Sequence, residues 1–269
     1  FTVTPRFYKN EKLLVQTEYR SINPETSNFI DFSFFTKKST SGDVESHFFS
    51  KTSRKLNFNN FDESTLNFEL QQASNDTYLK TYKVKSPIIK DTNLLSSFFE
   101  VSAYRDDLSF DTNFQVYENL SVKGSDRYEV IYPSYDVIKN LSNPTDLNGN
   151  FSIYSSGYLK NYNTNVYDRV IINDFIFNSD ALYTDEGFKN NYNILIKNIN
   201  TDSDNSTKYK NSQDHKLASI FEYNSSYPLK KTSANFNDIL KPKMSLKYSP
   251  NNTKDMRNED RRIDKNNIF

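Results

Sequence analysis

The chain of 269 residues carries 34 basic and 34 acidic residues, so its formal net charge is zero and no global field attracts nucleic acid. It has no cysteine, which excludes disulfides and thiolate chemistry, and no apolar run reaches the roughly 18 to 20 residues of a membrane-spanning helix. Only 35% of the residues are hydrophobic, and 22 Phe and 19 Tyr dominate them. Because aromatic side chains favour strands over helices, this composition predicts an all-β protein.

Apolar and polar residues alternate along most of the chain, beginning with its first residues. The segment FTVTPRF alternates in this way, and after the turn KNEK the segment LLVQTEYR does so again, which predicts a β-hairpin. The pattern returns in STLNFELQQ and in the pair FFEVSAYR and LSFDTNFQV, which only Asp106 and Asp107 separate. Later copies are GNFSIYSSGYLK, RVIINDFIF, NYNILIKNI, KLASIFEYN and KPKMSLKYS.

Polar stretches separate these predicted strands, and we interpret them as connections. They are QQASNDTYLKTYKVKSPIIKDTN, YDVIKNLSNPTDLNGN and NINTDSDNSTKYKNSQDHK, all longer than the usual connection of about two to six residues. No long segment has an apolar stripe of helical period, so helices should be few and short. About ten residues per strand plus loops of similar length give roughly a dozen strands. No composition break divides the chain, so residues 1–269 are expected to form one domain.

Two architectures would use such strands in opposite ways. In a soluble β-sandwich the apolar faces of two sheets meet, whereas in an outer-membrane barrel they contact lipid and the polar faces line a wet lumen. Alternation alone leaves both open. Low hydrophobicity, aromatic residues near strand ends and long polar loops between short turns favour the barrel. We therefore expect an antiparallel up-and-down transmembrane β-barrel, incomplete here and present as a curved open sheet.

The alternation also predicts which side chains face lipid and which face the lumen. The predicted lipid-facing residues are apolar or aromatic: Leu13, Val15, Tyr19, Leu66, Phe68, Leu70, Leu108, Phe110, Phe114 and Val116. The predicted lumen-facing residues are polar or charged: Gln16, Glu18, Arg20, Asn67, Glu69, Asp111, Asn113 and Gln115. A sandwich would instead bury the first set against a second sheet.

Candidate metal ligands are scarce. His47 lies in a strand-like segment and His215 in a loop-like one, with no second histidine at helical spacing, so we interpret both as surface or lumen residues. The stretch TDSDNST, residues 201–207, offers Asp202 and Asp204 to calcium but lacks the glycine and the bidentate glutamate of a calcium loop. We interpret it as a solvated loop and predict no metal site.

Catalytic patterns are also missing. Asp106 and Asp107 occupy a predicted tight turn, where aspartate is favoured for backbone reasons, and Glu259 and Asp260 are likewise adjacent in sequence. No G-x-S-x-G, P-loop or G-x-G-x-x-G motif occurs among only five glycines. We predict no catalytic residue and no cofactor, and do not expect an enzyme.

Several stretches together resemble the barrel domain of the LPS-assembly protein family, LptD or OstA, in its alphaproteobacterial form. FTVTPRFYKNEKLLVQTEYR resembles an early barrel hairpin of the family, ASNDTYLKTY its S-[DN]-D-T-Y-L motif, and RYEVIYPSYD its strand with a central proline. SSYPLKK and ILKPKMSLKYSP resemble a later motif pair, and DMRNEDRRIDKNNIF a loop that leads into a further strand. Each motif alone is weak, but their order extends over nearly the whole chain.

This resemblance implies a function in the outer membrane. Members of the family form a large antiparallel barrel plugged by the lipoprotein LptE, receive lipopolysaccharide from a periplasmic bridge, and release it into the outer leaflet. The family's N-terminal periplasmic domain, the cysteines of well-studied members and the closing C-terminal strands have no counterpart here. We therefore expect a piece from the middle of the barrel. Other outer-membrane barrels, such as porins or TonB-dependent receptors, and a soluble β-sandwich that binds carbohydrate or acts as an adhesin, are the alternatives.

Overall fold

The structure, a computed structural model, describes residues 1–8, 13–36, 44–142, 148–233, 236–250, 254–255 and 262–263. The predicted turn KNEK lies outside the described residues, as do Glu259 and Asp260 and most of DMRNEDRRIDKNNIF. The described residues are mostly strands, with one short α-helix, α1 (Tyr78–Thr81), and one 3₁₀ turn, η1 (Ser125–Arg127). The all-β prediction and the expectation of few, short helices are confirmed.

The strands form one large antiparallel sheet in sequence order. Its first eight strands are β1 (Thr2–Arg6), β2 (Leu14–Ile22), β3 (Thr26–Thr36), β4 (Val44–Leu56), β5 (Glu63–Ala73), β6 (Leu94–Arg105), β7 (Leu108–Asn119) and β8 (Tyr128–Leu141). Next come β9 (Gly149–Tyr162), β10 (Val166–Ser179), β11 (Leu182–Tyr183), β12 (Lys189–Asp204), β13 (Asp214–Ser226), β14 (Leu229–Thr232), β15 (Asn237–Leu240), β16 (Lys243–Tyr248), β17 (Lys254–Asp255) and β18 (Arg262–Ile263).

Hydrogen bonding connects neighbours in the order β1 to β10, then β12, β13 and β16, with β11 on the side of β12. This is a 14-stranded up-and-down sheet, and it is open rather than closed into a barrel. Two further pairs, β14 with β15 and β17 with β18, are separate two-stranded sheets. The predicted hairpins are confirmed, since β1 pairs with β2, and β6 pairs with β7 across Asp106 and Asp107.

Parts of two polar segments predicted as connections are strand instead. Residues 135–141 of YDVIKNLSNPTDLNGN belong to β8, and residues 198–204 of NINTDSDNSTKYKNSQDHK belong to β12. The stretch TDSDNST is therefore strand as far as Asp204, and His215 lies in β13 rather than in a loop. These predictions were wrong because strand pairing, rather than local polarity, determines how far a strand extends.

The chain divides into two compact units. The first unit comprises Phe1–Tyr135 and Tyr158–Tyr167, and the second comprises Asp136–Gly157 and Asp168–Phe269. The main apolar cluster of the first unit is formed by residues of the sheet and of the segment between β5 and β6: Leu14, Phe49, Tyr78, Leu79, Tyr82, Val84, Ile88, Leu95 and Leu120. The cluster of the second unit is much smaller, with Leu195, Ala218 and Ile220 buried and Ile176 packed against them.

Candidate functional site

The strand register divides the sheet of the first unit into two faces. Residues directly opposite in an antiparallel pair point to the same side, so Phe68, Phe99 and Phe114 form one row across β5, β6 and β7. Phe32 and Phe48 are opposite each other on β3 and β4. We call this side the apolar face. Its aromatic rings are exposed, with Phe32 at 37%, Phe48 at 41% and Phe114 at 46% of their full accessible surface.

The residues predicted to contact lipid lie on this apolar face. Nine of them do so by register: Val15, Tyr19, Leu66, Phe68, Leu70, Leu108, Phe110, Phe114 and Val116. Leu13 precedes β2 and is exposed. Phe114 and Val116 are exposed, and neither packs under a second sheet as the sandwich alternative requires. Contact with lipid itself stays a prediction.

The residues predicted to line a lumen lie on the opposite side, which we call the polar face. They are Gln16, Glu18, Arg20, Asn67, Glu69, Asp111, Asn113 and Gln115. They do not form one cluster. Gln16 and Glu69 are buried, Asp111 is exposed, and Asn67 donates to Glu100 at 3.0 Å.

A segment of the chain itself covers part of this polar face. Residues 74–93, between β5 and β6, are here called the covering segment. Asn75 begins it with a local turn, since its side-chain oxygen accepts from the backbone N–H of Thr77 at 3.1 Å, and α1 follows. Tyr78 and Leu79 of α1 are almost fully buried against strand residues of the polar side such as Phe49. Apolar side chains of the covering segment therefore pack on the polar face.

Polar groups of the sheet hold the backbone of the covering segment. Arg6 donates to the carbonyl oxygens of Tyr82 and Lys83 at 3.2 and 3.3 Å, and Tyr8 donates to the Tyr82 carbonyl at 3.2 Å. Gln16 donates to the carbonyl of Lys85 at 3.0 Å. These contacts satisfy carbonyl groups that the covering segment, lacking regular structure beyond α1, does not pair internally.

Beneath the covering segment lies a fully buried polar network. The side-chain amide of Gln16 donates to both carboxylate oxygens of Asp31 at 3.0 and 3.1 Å, and Nε2 of His47 lies 3.2 Å from Asp31 Oδ1. The Ser33 hydroxyl is 2.6 Å from His47 Nδ1 and 2.6 Å from the Tyr78 hydroxyl. Burial raises the pKa of Tyr78 to about 12, which keeps its phenol neutral. The network therefore connects three strands to the covering segment.

Serine, histidine and aspartate in contact have the composition of a catalytic triad, but their surroundings do not suit catalysis. Ser33, His47 and Asp31 are at most 3% exposed, and Tyr78 covers the serine hydroxyl. A nucleophile needs a reacting carbonyl within reach and donors for the developing oxyanion. The Ser33 hydroxyl is instead buried and lies within hydrogen-bond distance of both His47 and Tyr78. The arrangement holds the covering segment in place.

A second connection ties the covering segment to the neighbouring strands. The guanidinium of Arg127 contacts the carboxylates of Asp76 at 2.8 Å and Glu118 at 2.6 Å. The adjacent acids raise the pKa of Arg127 against the opposing effect of burial, so its charge is retained. Arg127 thereby joins the start of the covering segment to the end of β7.

The polar side of the second unit is organised differently. Lys197 on β12 pairs with Asp174 on β10 at 2.5 Å, and Lys216 on β13 pairs with Asp214 at 2.7 Å. On the opposite face of β12 and β13, His215 has its Nδ1 2.8 Å from the side-chain oxygen of Asn200. Thr201 and Ser203 on β12 lie on the same side as Lys197 and are almost fully buried. Partly buried ion pairs therefore occur beside buried hydroxyl groups on this side.

The stretches that carry the family resemblance contact one another within each unit. In the first unit, Arg6 of the opening stretch binds the carbonyl of Tyr82 in ASNDTYLKTY, and Arg127 of RYEVIYPSYD binds Asp76 in that same stretch. In the second unit, Ser225 of SSYPLKK is opposite Met244 of ILKPKMSLKYSP. Stretches that are separate in the sequence are thus in direct contact in the structure.

Sequence reasoning misses the buried network. It predicts a surface or lumen position for His47, which is instead buried at 3% exposure, and it gives no role to Tyr78, Ser33 or Asp31. The segment FIDFSFF contains a signal that could have indicated a polar pair on one face of a strand. In it, the polar residues Asp31 and Ser33 alternate with apolar ones: Ile30, Phe32 and Phe34. The fold of the covering segment has no comparable local signal.

The described residues assign no specific function to the chain. No group of three or more His, Cys, Asp or Glu side chains in the described part of the chain is arranged to hold a metal ion. None of the helices in that part is long and apolar enough to cross a membrane. No protein-family model and no curated protein matches the chain.

Proposed function

We propose that this chain is part of an outer-membrane β-barrel of the LPS-assembly type, which inserts lipopolysaccharide into the outer leaflet. The observation that carries the proposal is the inverted polarity of the sheet in the first unit. Aromatic rings such as Phe32 and Phe114 are exposed on one face, while Gln16, Asp31 and His47 are buried on the other. A protein surrounded by water gains stability from the opposite arrangement.

Lipid is a more favourable environment than water for the apolar face. Each Å² of apolar surface withdrawn from water stabilises a protein by roughly 25 cal/mol, so a continuous aromatic face left in water is costly. Soluble monomers seldom leave such a large apolar patch uncovered. Acyl chains of the outer membrane would cover rows such as Phe68, Phe99 and Phe114 without requiring a second sheet.

The polar face suits the saccharide part of the same lipid. Glu100, Asn113 and Gln115 on β6 and β7 are only partly buried, and Gln115 donates to Ser96 at 3.2 Å. Such donors and acceptors bind sugar hydroxyl groups, whereas acyl tails would remain in the membrane phase. An LptE-like plug lipoprotein and a periplasmic Lpt bridge are the partners that this role requires. The role involves transport rather than catalysis.

The contacts among the family-like stretches also support the proposal. Arg6, Tyr82, Asp76 and Arg127 come from three stretches that are separate in sequence, and they meet at the covering segment. A chance resemblance at each stretch would not require the three to contact one another. The observation supports family membership as a proposal and leaves the transported lipid to be tested.

Photo-cross-linking from adjacent residues on opposite faces tests this function. p-Benzoylphenylalanine is placed at Phe114 or at Gln115, with the chain expressed in its natural sequence context in a Gram-negative host. We expect position 114 to cross-link to membrane lipid and position 115 to cross-link to lipopolysaccharide or to a plug lipoprotein. The pair is matched, because the two residues are neighbours on β7 with opposite orientation.

Each alternative predicts a different outcome. A porin or receptor would give lipid adducts at 114 but no lipopolysaccharide adduct at 115. A soluble carbohydrate-binding sandwich would remain in solution without detergent and give no lipid adduct at either position. Either result overturns the proposed transport function.

A further inference from the structure

A cleft lies on the polar side of the second unit, where β12, β13 and β16 run side by side. Ser226 on β13 is directly opposite Lys189 on β12 and Lys243 on β16, so the three side chains form one row. The next row on the same side contains Asn191, Asn224 and Ser245. Together with Lys241, which precedes β16, and with Ser225 and Met244, these two rows line a cavity of about 370 Å³.

The lysines of this cleft differ from the other lysines on the same side. Lys197 and Lys216 are paired with carboxylates. Lys189, Lys241 and Lys243 are in no ion pair among the described residues, and no acidic side chain lines the cleft. In a chain with balanced charge, this is a local excess of three positive charges.

The carboxylate of Glu222, one row further along β13, is already engaged. It accepts from Ser245 at 3.0 Å and lies 3.7 Å from Lys247. It also accepts a hydrogen bond from the side chain of Asn224, and none of these partners is one of the three lysines. The ammonium groups of Lys189, Lys241 and Lys243 are therefore available to an anionic ligand.

We infer that this cleft binds a phosphate group. Three ammonium groups match the two charges and several oxygens of a phosphomonoester, and the amide of Asn191 adds a neutral donor. A carboxylate, with one charge and two oxygens, would leave part of this donor set unused. The volume also exceeds that of a bare phosphate ion, so the group bound is expected to carry a further moiety.

The source of the phosphate is either a lipid head group or a free phosphate compound. The lipid source rests on the proposed function, because only a barrel in the outer membrane presents its polar side to phosphorylated lipopolysaccharide. The chemistry of the cleft itself does not rest on it. The two inferences can therefore fail separately.

The test compares two triple variants with equal changes in charge. The cleft variant carries Lys189→Gln, Lys241→Gln and Lys243→Gln. The control carries Lys208→Gln, Lys230→Gln and Lys231→Gln, three exposed lysines of the same unit that do not line the cleft. Binding of inorganic phosphate, of glucosamine 1-phosphate and of detergent-dispersed lipid A is measured by titration calorimetry, with dephosphorylated lipid A as a further ligand.

We expect the cleft variant to bind both soluble phosphates at least about tenfold more weakly than the parent, because three charge-assisted contacts are lost. The control should change by less than about twofold. If lipid A binds more tightly than glucosamine 1-phosphate, and if dephosphorylated lipid A does not bind, the lipid is the source of the phosphate. Equal affinity for the two identifies a free phosphate compound.

If phosphate binding were weakened equally in both triple variants, the change in net charge alone would explain the effect, and the proposed site would be wrong. The proposed site would also be wrong if the cleft variant bound phosphate as tightly as the parent, or if dephosphorylated lipid A bound as tightly as lipid A. Phosphate binding through the cleft by a protein that needs no detergent would leave this inference standing and sink the proposed transport function. Circular dichroism of each variant verifies that the sheet is retained.

Discussion

The polar sides of the two units use the same alternation but hold their charged groups in different ways. In the first unit, a segment between two strands folds back and buries Asp31, Ser33 and His47 in a network closed to solvent. In the second, Lys197 and Asp174 form an ion pair whose side chains are 17% and 19% exposed. Alternation therefore determines which face a residue occupies, whereas a connection elsewhere in the chain determines whether charged groups on that face are sealed from solvent.

The largest effect is expected when the aromatic ring of Tyr78, on the covering segment of the first unit, is removed. Tyr78→Ala deletes a side chain with 0% exposure and its hydrogen bond to Ser33, both of which fasten the covering segment. We expect the free energy of unfolding to fall by about 3 to 5 kcal/mol, the usual cost of truncating a buried aromatic residue. Denaturant titration followed by far-UV circular dichroism measures the change.

The matched control is Tyr104→Ala in the same unit. Tyr104 lies at the end of β6 and is 53% exposed, so its truncation should cost less than about 1 kcal/mol. Equal costs at the two positions would mean that the covering segment adds little stability, and the distinction between a dry and a wet side would fail.

A second prediction concerns the buried carboxylate. Asp31→Ala leaves the Gln16 amide without its main acceptor and removes the neighbour of His47 Nε2. Each buried donor left unsatisfied costs about 1 to 3 kcal/mol, so we expect a loss of about 2 to 4 kcal/mol. Unfolding in denaturant at fixed pH is the measurement, and tyrosine fluorescence provides a second probe.

Glu18→Ala is the control on the same side of the same sheet. Glu18 pairs with Arg20 at 2.8 Å, but the arginine side chain is 61% exposed. Exposed ion pairs contribute about 0 to 1 kcal/mol, so this variant should remain close to the parent. If Glu18→Ala were as destabilising as Asp31→Ala, burial under the covering segment would not explain the difference.

Much of the fold follows from local sequence, and the reason is physical. Side chains alternate along a strand with period 2, so the sequence pattern alone assigns residues such as Phe114 and Gln115 on β7 to opposite faces. The short connection at Asp106 and Asp107 likewise specifies an antiparallel neighbour. The pairing of two strands that are neighbours in sequence can therefore be predicted without information from distant residues.

The covered side could not be predicted in this way. Tyr78 lies in a polar connection, and nothing near it in sequence indicates that it contacts Ser33, which is 45 residues away. His47 is polar in an alternating strand, a pattern that is equally typical of a solvent-facing residue. Strand ends are missed for a related reason, since residues 198–201 are too polar to predict a strand until their pairing with β13 is known.

The smallest effect is expected on the side that remains open. Lys197→Met removes the ammonium group from the pair with Asp174, whose side chain is 19% exposed, and keeps the length of the apolar stem. Because both side chains keep part of their solvent access, at 17% and 19% exposure, we expect a loss of about 1 to 2 kcal/mol, which is reduced at about 1 M salt, where the screening length falls to roughly 3 Å. The cost of Asp31→Ala should not change with salt, since hydrogen bonds in a dry network are not reached by ions. Denaturant titrations of both variants at low and high salt measure the two trends, with Lys208→Met as a control for an exposed lysine outside any ion pair.

Lys197→Met is expected to behave like Asp31→Ala only if the second unit is as dry as the first. A salt-independent loss of stability in Lys197→Met as large as that in Asp31→Ala would therefore contradict the contrast between the two units.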